Sequence, residues 1–206
     1  MIEFKDVSFS YETGTPVIEH LSFYIEEGEP VGLVGANGAG KSTVMKLLLG
    51  LLEGEGTILV DGLEVKKQNL PEIRKRMGFV FQNSENQMFM PTVYEDMMFG
   101  PLNYGAKRED AEKRVDEVLT RLNLQHLKHR HNHKLSGGEL KMAAIATILA
   151  MEPQIILMDE PTASLDPENR RAVIETIRSL DQTKIITSHD PGVIAEVCTR
   201  VIELKK

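Results

Sequence analysis

The chain is poor in the features that would mark an exported or membrane-spanning protein. A single cysteine, Cys198, rules out an internal disulfide and suits a reducing compartment. Val193, Ile194 and Val197 share its expected helical face, so it reads as a packing residue and not as a reactive thiol. No apolar run reaches the ~18 residues needed to cross a bilayer. The opening M-I-E-F-K-D is acidic and strand-like, unlike a secretory leader. A basic excess is missing as well: the net charge is −7, whereas nucleic-acid binders carry a basic footprint. Repeats and low-complexity tracts are absent. These absences point to a cytosolic protein with no nucleic-acid partner. At 206 residues, 41% hydrophobic and 27% charged, the chain can build one soluble domain with room for a small inserted lobe.

What the chain does have is a phosphate-binding loop. Gly35 to Ser42 read G-A-N-G-A-G-K-S, a complete G-x-x-x-x-G-K-[ST] pattern. The apolar run Pro30–Val34 before it has strand character, and Thr43–Leu49 after it reads as the first turns of a buried helix. Gly35, Gly38 and Gly40, with Asn37 and Ala39 among them, let the backbone aim N–H groups and a helix N-terminus at an anion. Lys41 is then the point charge for the β- and γ-phosphates, and Ser42 the hydroxyl ligand for Mg²⁺. The competing view, an ordinary glycine turn capping a helix, loses ground once the flanks are counted.

Alternating segments at Ile2–Lys5, Val7–Tyr11 and Leu21–Ile25 predict antiparallel strands, with turns at Thr13–Pro16 and Glu27–Gly28. Gly56–Val60 and Met77–Phe81 read as further strands, with a short helix opened by Pro71 between them. From Thr92 to about Leu124 the period is helical, with Gly100-Pro101 and Gly105 as breaks. Within it, Glu109–Leu122 carries an apolar face of Ala111, Val115, Val118, Leu119 and Leu122. Helix Gly137–Ala150 precedes strand Ile155–Met158, helix Pro167–Leu180, strand Lys184–Thr187, helix Pro191–Val197 and a last strand Val201–Leu204. Strands alternating with helices around a phosphate loop imply an α/β fold with a parallel core. The division expected is 1–30 mainly antiparallel β, 31–82 and 151–206 the phosphate-loop core, and about 83–150 an inserted helical subdomain, all within one domain spanning 1–206.

Two further clusters carry chemistry. Ile155–Met158 is an apolar strand ending in Asp159 and Glu160. The first can hold Mg²⁺ through water, and the second can take a proton from water attacking a γ-phosphorus. The competing view, two acids in a solvated loop after a strand, is the weaker one even for the pair alone and weakens further beside Gly35–Ser42. Leu135–Glu139, L-S-G-G-E, also has two readings that can both hold. Ser136 with Glu139 is a capping box, sufficient to start a helix. Two glycines in the first turn weaken that helix, so something is expected to want the backbone bare, and such an N-terminus is an anion site. With one nucleotide already held by Gly35–Ser42, the second site suggests phosphate from a partner subunit.

In this order the motifs resemble, over nearly the whole chain, the ATP-binding subunit of ABC transporters. L-S-G-G-E is similar to that family's signature, D-E-P-T-A-S-L-D (Asp159–Asp166) to its Walker B and D-loop segments, and S-H-D (Ser188–Asp190) to its switch histidine. Gln82 stands where the family's Q-loop glutamine belongs, and Tyr11 where an aromatic ring stacks on adenine. F-Q-N-S-E-N-Q (Phe81–Gln87), F-G-P-L-N (Phe99–Asn103) and H-K-L-S-G-G-E resemble energy-coupling-factor ATPases, closest to the cobalt/nickel uptake type.

The resemblance implies a P-loop NTPase fold with a RecA-like parallel core, and MgATP hydrolysis in a head-to-tail homodimer or a heterodimer with a related ATPase. It also implies a peripheral place on the inner face of the cell membrane, driving uptake of a small solute such as cobalt or nickel ion. Gly35, Asn37, Gly38, Ala39, Gly40, Lys41, Ser42 and Thr43 would bind phosphates and metal. Gln82 would complete the Mg²⁺ shell and sense the membrane partner, Asp159 support the metal, Glu160 act as catalytic base and His189 contact the γ-phosphate. Ser136, Gly137 and Gly138 would grip the opposing subunit's nucleotide, and Asp166 would link the two sites.

The chain departs from the family at three points. Glu139 replaces the commoner Gln, L-K-M-A-A-I-A-T-I-L (Leu140–Leu149) lacks the usual arginines, and the sequence stops at Lys206 without the C-terminal region by which such ATPases often dimerise. Dimerisation is therefore expected to depend more on nucleotide or on the membrane partner. That partner is expected to dock near Gln82–Phe99, on Met88, Phe89, Met90, Met97 and Met98, since methionines adapt to an apolar helix; core filling is the alternative. His126, His129, His131 and His133 do not match a ligand pattern, and Lys128, Arg130 and Lys134 would repel a cation, so a solvated loop is expected. Two other functions compete: a soluble ABC ATPase without a transporter, and a small P-loop kinase, which would lack the signature and His189.

Overall fold

The computed structural model describes residues 2–11 and 14–205; Met1, Lys206 and Thr13 of the expected turn lie outside the described residues. Strands β1 (Ile2–Ser10) and β2 (Pro16–Ile25) pair antiparallel, with bulges along β1. The two short strands expected before Tyr11 are thus one. Asp6 takes a left-handed φ of 51° and donates its N–H to Ser22 Oγ, so the chain bends without leaving the sheet.

The chain then runs through β3 (Pro30–Val34), the phosphate loop and helix α1 (Lys41–Leu48), and returns to the first sheet as β4 (Glu55–Val60) and β5 (Leu63–Glu64). The sheet order is β2-β1-β4-β5. Residues 55–64 therefore belong with the antiparallel strands and not with the phosphate-loop core where the sequence reading put them. Glu55, Thr57, Ile58, Leu59 and Val60 are registered directly against β1.

Helix α2 (Leu70–Lys75) leads into β6 (Met77–Val80), and α3 (Val93–Asn103), α4 (Arg108–Arg121) and α5 (Gly137–Leu149) follow. Strand β7 (Ile155–Asp159), helix α6 (Pro167–Arg178), β8 (Thr183–Thr187), α7 (Pro191–Val197) and β9 (Arg200–Glu203) complete the alternation. The second sheet has order β6-β7-β8-β3-β9, every pairing in it parallel. Its three central strands, β7, β8 and β3, are buried and, taken together, mostly apolar, as strands covered on both faces require, whereas edge strand β9 is largely exposed.

Helix α3 passes through Gly100-Pro101, where a break was expected. Pro101 is buried near the helix end, and a Cβ on Gly100 would come within 2.7 Å of Met151 Sδ. Gly100 is bare because another segment packs against it, not because the chain turns there.

Two apolar clusters lie around the parallel sheet. One joins it to α1 and the antiparallel sheet, with Phe4, Leu33, Val44, Leu48 and Leu157. The other joins it to α3–α7, with Met97, Leu119, Ile145, Met158 and Ile186. The ends of β3, β7 and β8 thus emerge side by side between two packed bodies, which fixes the loops that follow them.

Candidate functional site

Those three strand ends carry the predicted residues. After β3, the loop turns through Gly38 (φ 78°) and Gly40 (φ 93°), both in the left-handed region. The conformation of Gly40 favours glycine, and a Cβ there would also press on Ile18 Cδ1 at 2.5 Å and the Val17 carbonyl at 3.2 Å. Gly40 is the N-cap of α1 and offers no side-chain acceptor, which leaves the first N–H groups of that helix without a side-chain cap. Asn37 and Gly38 are exposed, whereas Gly35 is half-buried and Ala39 and Gly40 are buried beneath them. Buried Lys41 sends Nζ back across the loop, donating to Gly35 O at 2.8 Å and Ala36 O at 3.2 Å.

After β7, Ser42 Oγ donates to Asp159 Oδ2 at 3.2 Å, joining the loop to the first predicted carboxylate. Asp159 lies beside Thr187 in the β7–β8 register, and Thr187 Oγ1 donates to Asp159 Oδ1 at 2.7 Å. The same hydroxyl accepts the Glu160 N–H at 3.1 Å. One side chain at the end of β8 therefore fixes both acids. Sequence reasoning missed Thr187; its signal was position alone, two residues before His189 at the end of a strand neighbouring Ile155–Asp159.

Glu160 adopts φ 48°, a left-handed conformation unfavourable for a side-chain-bearing residue, and is 8% exposed. His189 N–H donates to Glu160 Oε2 at 3.1 Å, and His189 Nε2 stands 3.3 Å from Oε1. The ring itself is exposed. Tyr11 reaches the same region through a hydroxyl contact with Thr43 Oγ1 at 3.2 Å, while its ring is partly exposed. Tyr11, Gly35–Thr43, Asp159, Glu160 and His189 are thus brought together by the fold.

Gln82 and Ser136–Gly138 are not joined to this cluster: among the described residues, no hydrogen bond links their side chains to Lys41, Ser42, Asp159 or Glu160. Exposed Gln82 follows β6. Ser136 caps α5, accepting the Glu139 N–H at 3.3 Å and donating its own N–H to Glu139 Oε2 at 2.8 Å. The Ser136 N–H holds the Glu139 carboxyl below the usual range, aided by Arg130, whose Nη1 lies 3.0 Å from Oε1.

The two signature glycines differ. Gly137 has open space where a Cβ would stand, but a Cβ on Gly138 would fall 2.1 Å from Asn169 of α6. The packing of Asn169 thus gives Gly138 a reason within the chain to be bare, whereas Gly137 has none. Asp166, exposed, caps α6 and accepts the Glu168 and Asn169 N–H groups at 3.0 Å each.

A second residue missed from sequence is Lys141. It is buried in α5, donates from Nζ to Phe81 O at 2.9 Å and Gln82 O at 2.8 Å, and burial pushes its pKa down to about 8 against the opposing pull of Asp159. Cys198 is half-buried beside Gly32, and burial raises its thiol to about 11, in keeping with packing.

The expected docking anchors divide. Met88, Met97 and Met98 are core residues: Met97 and Met98 lie on α3, which packs toward α5, and Met88, ahead of that helix, meets Thr147 Oγ1 of α5 through its sulfur at 3.4 Å. Phe89 is 64% exposed and Phe99 44% exposed, their rings edge-to-face at 4.8 Å, with Met90 half-buried nearby. Buried Asp96 holds this loop by accepting the Phe89 and Met90 N–H groups at 3.2 and 3.1 Å. The histidine segment is more than a solvated loop: Val93 N–H donates to Arg130 O, Tyr94 N–H to Lys128 O, and Asn132 N–H to Pro91 O, so it straps the start of α3. No group of three or more His, Cys, Asp or Glu side chains that could hold a metal ion occurs among the described residues.

A family model described as ABC transporter matches residues 18–163. The energy-coupling factor transporter ATP-binding protein EcfA of Methanothermobacter thermautotrophicus is 43% identical over 210 residues, covering 99% of this chain and 68% of the relative. Among solved structures, cbiO1 of Clostridium perfringens, described as part of the ABC transporter complex cbiONQ, superposes with a TM-score of 0.90 at 34% identity, covering 99% of this chain and 84% of that one. A dimeric ATP-binding cassette, described as a post-hydrolysis state bound to ADP and Pi, superposes with a TM-score of 0.88 at 29% identity, covering 100% and 94%.

Proposed function

The chain belongs to the ABC transporter family as an ATP-binding, ATP-hydrolysing subunit, and from that premise we propose which of its residues do the work. The observation that carries the reading is the meeting of the phosphate loop, the Thr187-linked pair Asp159–Glu160 and His189 at neighbouring strand ends.

Backbone N–H groups of the loop and of the α1 start take the phosphates. Lys41 exchanges the Gly35 and Ala36 carbonyls for phosphate oxygens. Tyr11 offers its exposed ring to the adenine. Glu160, held by the His189 N–H, accepts a proton from the water that attacks the γ-phosphorus; the bond to the β–γ bridging oxygen breaks and ADP leaves. Ser42, Asp159 and Gln82 would hold Mg²⁺, an all-oxygen donor set that suits this ion, which when bound neutralises charge developing on the phosphates.

Residues 1–206 act as one ATPase unit, and the helical segment 83–150 is the lobe that reads the partners. In a head-to-tail dimer, with a second copy or a related ATPase, Ser136 and Gly137 face the nucleotide of the opposing subunit and Asp166 lies at the seam. The Phe89–Phe99 pair docks an integral membrane subunit, which places the chain peripherally on the cytoplasmic face. No helix among the described residues is long and apolar enough to cross a membrane itself. The cargo is a small solute; the resemblance of Phe81–Gln87 and Phe99–Asn103 to cobalt/nickel uptake ATPases favours one of those ions.

Purified chain should hydrolyse ATP at a rate that rises more steeply than linearly with protein concentration. EDTA should abolish turnover and added Mg²⁺ restore it. Turnover that ignores chelation, or that is strictly proportional to protein, contradicts this reading.

A further inference from the structure

Lys141 lies one turn beyond Gly138 in α5 and is 3% exposed, yet its hydrogen-bond partners are two consecutive carbonyls, Phe81 O and Gln82 O. A buried ammonium held by carbonyls is a poor stabiliser: an apolar side chain of the same length would fill the space without the cost of desolvation. What the ammonium does, and methionine cannot, is grip the backbone of the segment that carries Gln82. Gln87, 9% exposed, reinforces the grip: it accepts the Phe81 N–H at 3.1 Å and donates to Ala144 O of α5 at 2.8 Å. The start of the segment after β6 is therefore fastened to α5 by two buried polar side chains, although nothing covalent joins them nearby.

We propose that Lys141 is a positioning residue that couples the backbone of Gln82 to the tip of α5, so that nucleotide in one subunit sets where Ser136 and Gly137 stand for the other. The proposal rests on the metal-facing role of Gln82 and the trans role of the α5 tip given above. Gln82 follows β6 with its side chain exposed and without a hydrogen bond to Ser42 or Asp159 among the described residues, and the coupling takes its backbone to shift when that side chain engages a metal there. Its carbonyl is in the hand of Lys141. A helix passes a displacement along its axis as a rigid element, and Ser136 and Gly137 begin that helix. Neither end of the connection needs a change of fold.

The test uses the full chain in a Glu160→Gln background, which keeps ATP bound. Lys141→Met preserves length and removes the donor; Lys141→Gln keeps a donor. Three quantities are read: ATP affinity at protein concentrations too low for dimers, ATP-driven dimerisation, and, with Glu160 restored, kcat and KM. Lys141→Met should hold ATP affinity within threefold, weaken dimerisation at least tenfold, and lower kcat by tenfold or more with KM little changed. Lys141→Gln should recover part of both losses. Dimerisation and kcat equal to the parent overturn the coupling. So do equal losses of ATP affinity and dimerisation, or failure of both variants to fold, each of which makes the lysine a scaffold residue. If the parent itself does not dimerise with ATP, the fault lies in the proposed function and not in Lys141.

Discussion

Glu139 brings a negative charge to the end of α5 that is proposed to meet a phosphate, and its surroundings show why this is tolerable. The carboxylate is turned back onto the Ser136 N–H and paired with Arg130. Glu139→Gln, which keeps an acceptor for that N–H, should leave ATPase activity near normal; a rise of tenfold or more would mean that the charge opposes the phosphate after all. The pH dependence follows from the same contacts. Because folding holds the Glu139 carboxyl below its ordinary range, its stabilisation is present above the unfolded value and is lost as pH falls through the folded one. The acid-side fall in Tm should therefore be shallower in Glu139→Gln than in the parent. Identical Tm profiles would show that the capping contact is not maintained in solution. Lys41, Ser42, Asp159 and Glu160 were legible in the sequence because their chemistry is packed into short contiguous patterns. Thr187 and Lys141 were not, because a threonine ending a strand acquires its role from the neighbouring strand's register, and a lysine in a helix acquires its role from burial.

At the scale of elements, the segment Gln87–Phe99 mixes core and surface in a way that composition alone did not resolve. Met97 is fully buried and Phe89 is 64% exposed, although both were read as adaptable apolar anchors. The capping box of Thr92 and Glu95 sets the start of α3, and that phase decides which residues face inward. Phe89→Asp should therefore leave Tm and ATP binding unchanged while abolishing co-sedimentation with membranes carrying the transport subunit. Met97→Ala should instead destabilise the chain by about 2–5 kcal/mol, the usual loss for a buried large side chain, measured by urea unfolding. A Phe89→Asp chain that unfolds or loses ATP would place that residue in the core. The helical period of α3 was legible, but Gly100-Pro101 misled because the close approach of Met151 imitates, in sequence, the signature of a break.

At the scale of the whole molecule, the order of strands bears on the proposal that one chain supplies half of each reaction site. The parallel order β6-β7-β8-β3-β9 gathers Lys41, Asp159, Glu160 and His189, whereas Ser136 and Gly137 stand exposed at the start of a helix with no hydrogen bond to them among the described residues. The parallel core was legible from strand–helix alternation. Membership of β4 and β5 in the antiparallel sheet was not, since a strand's partner is a non-local property.

The claim that two chains complete one another's sites around Glu160 is tested most directly by the Glu160→Gln protein with MgATP on a sizing column, read beside its turnover. The account predicts retained ATP binding, hydrolysis slowed by at least ~10²-fold, as expected for loss of a general base, and a dimer that appears with ATP and not with ADP. A variant that turns over ATP at the parent's rate, or that binds ATP and remains monomeric, would contradict it.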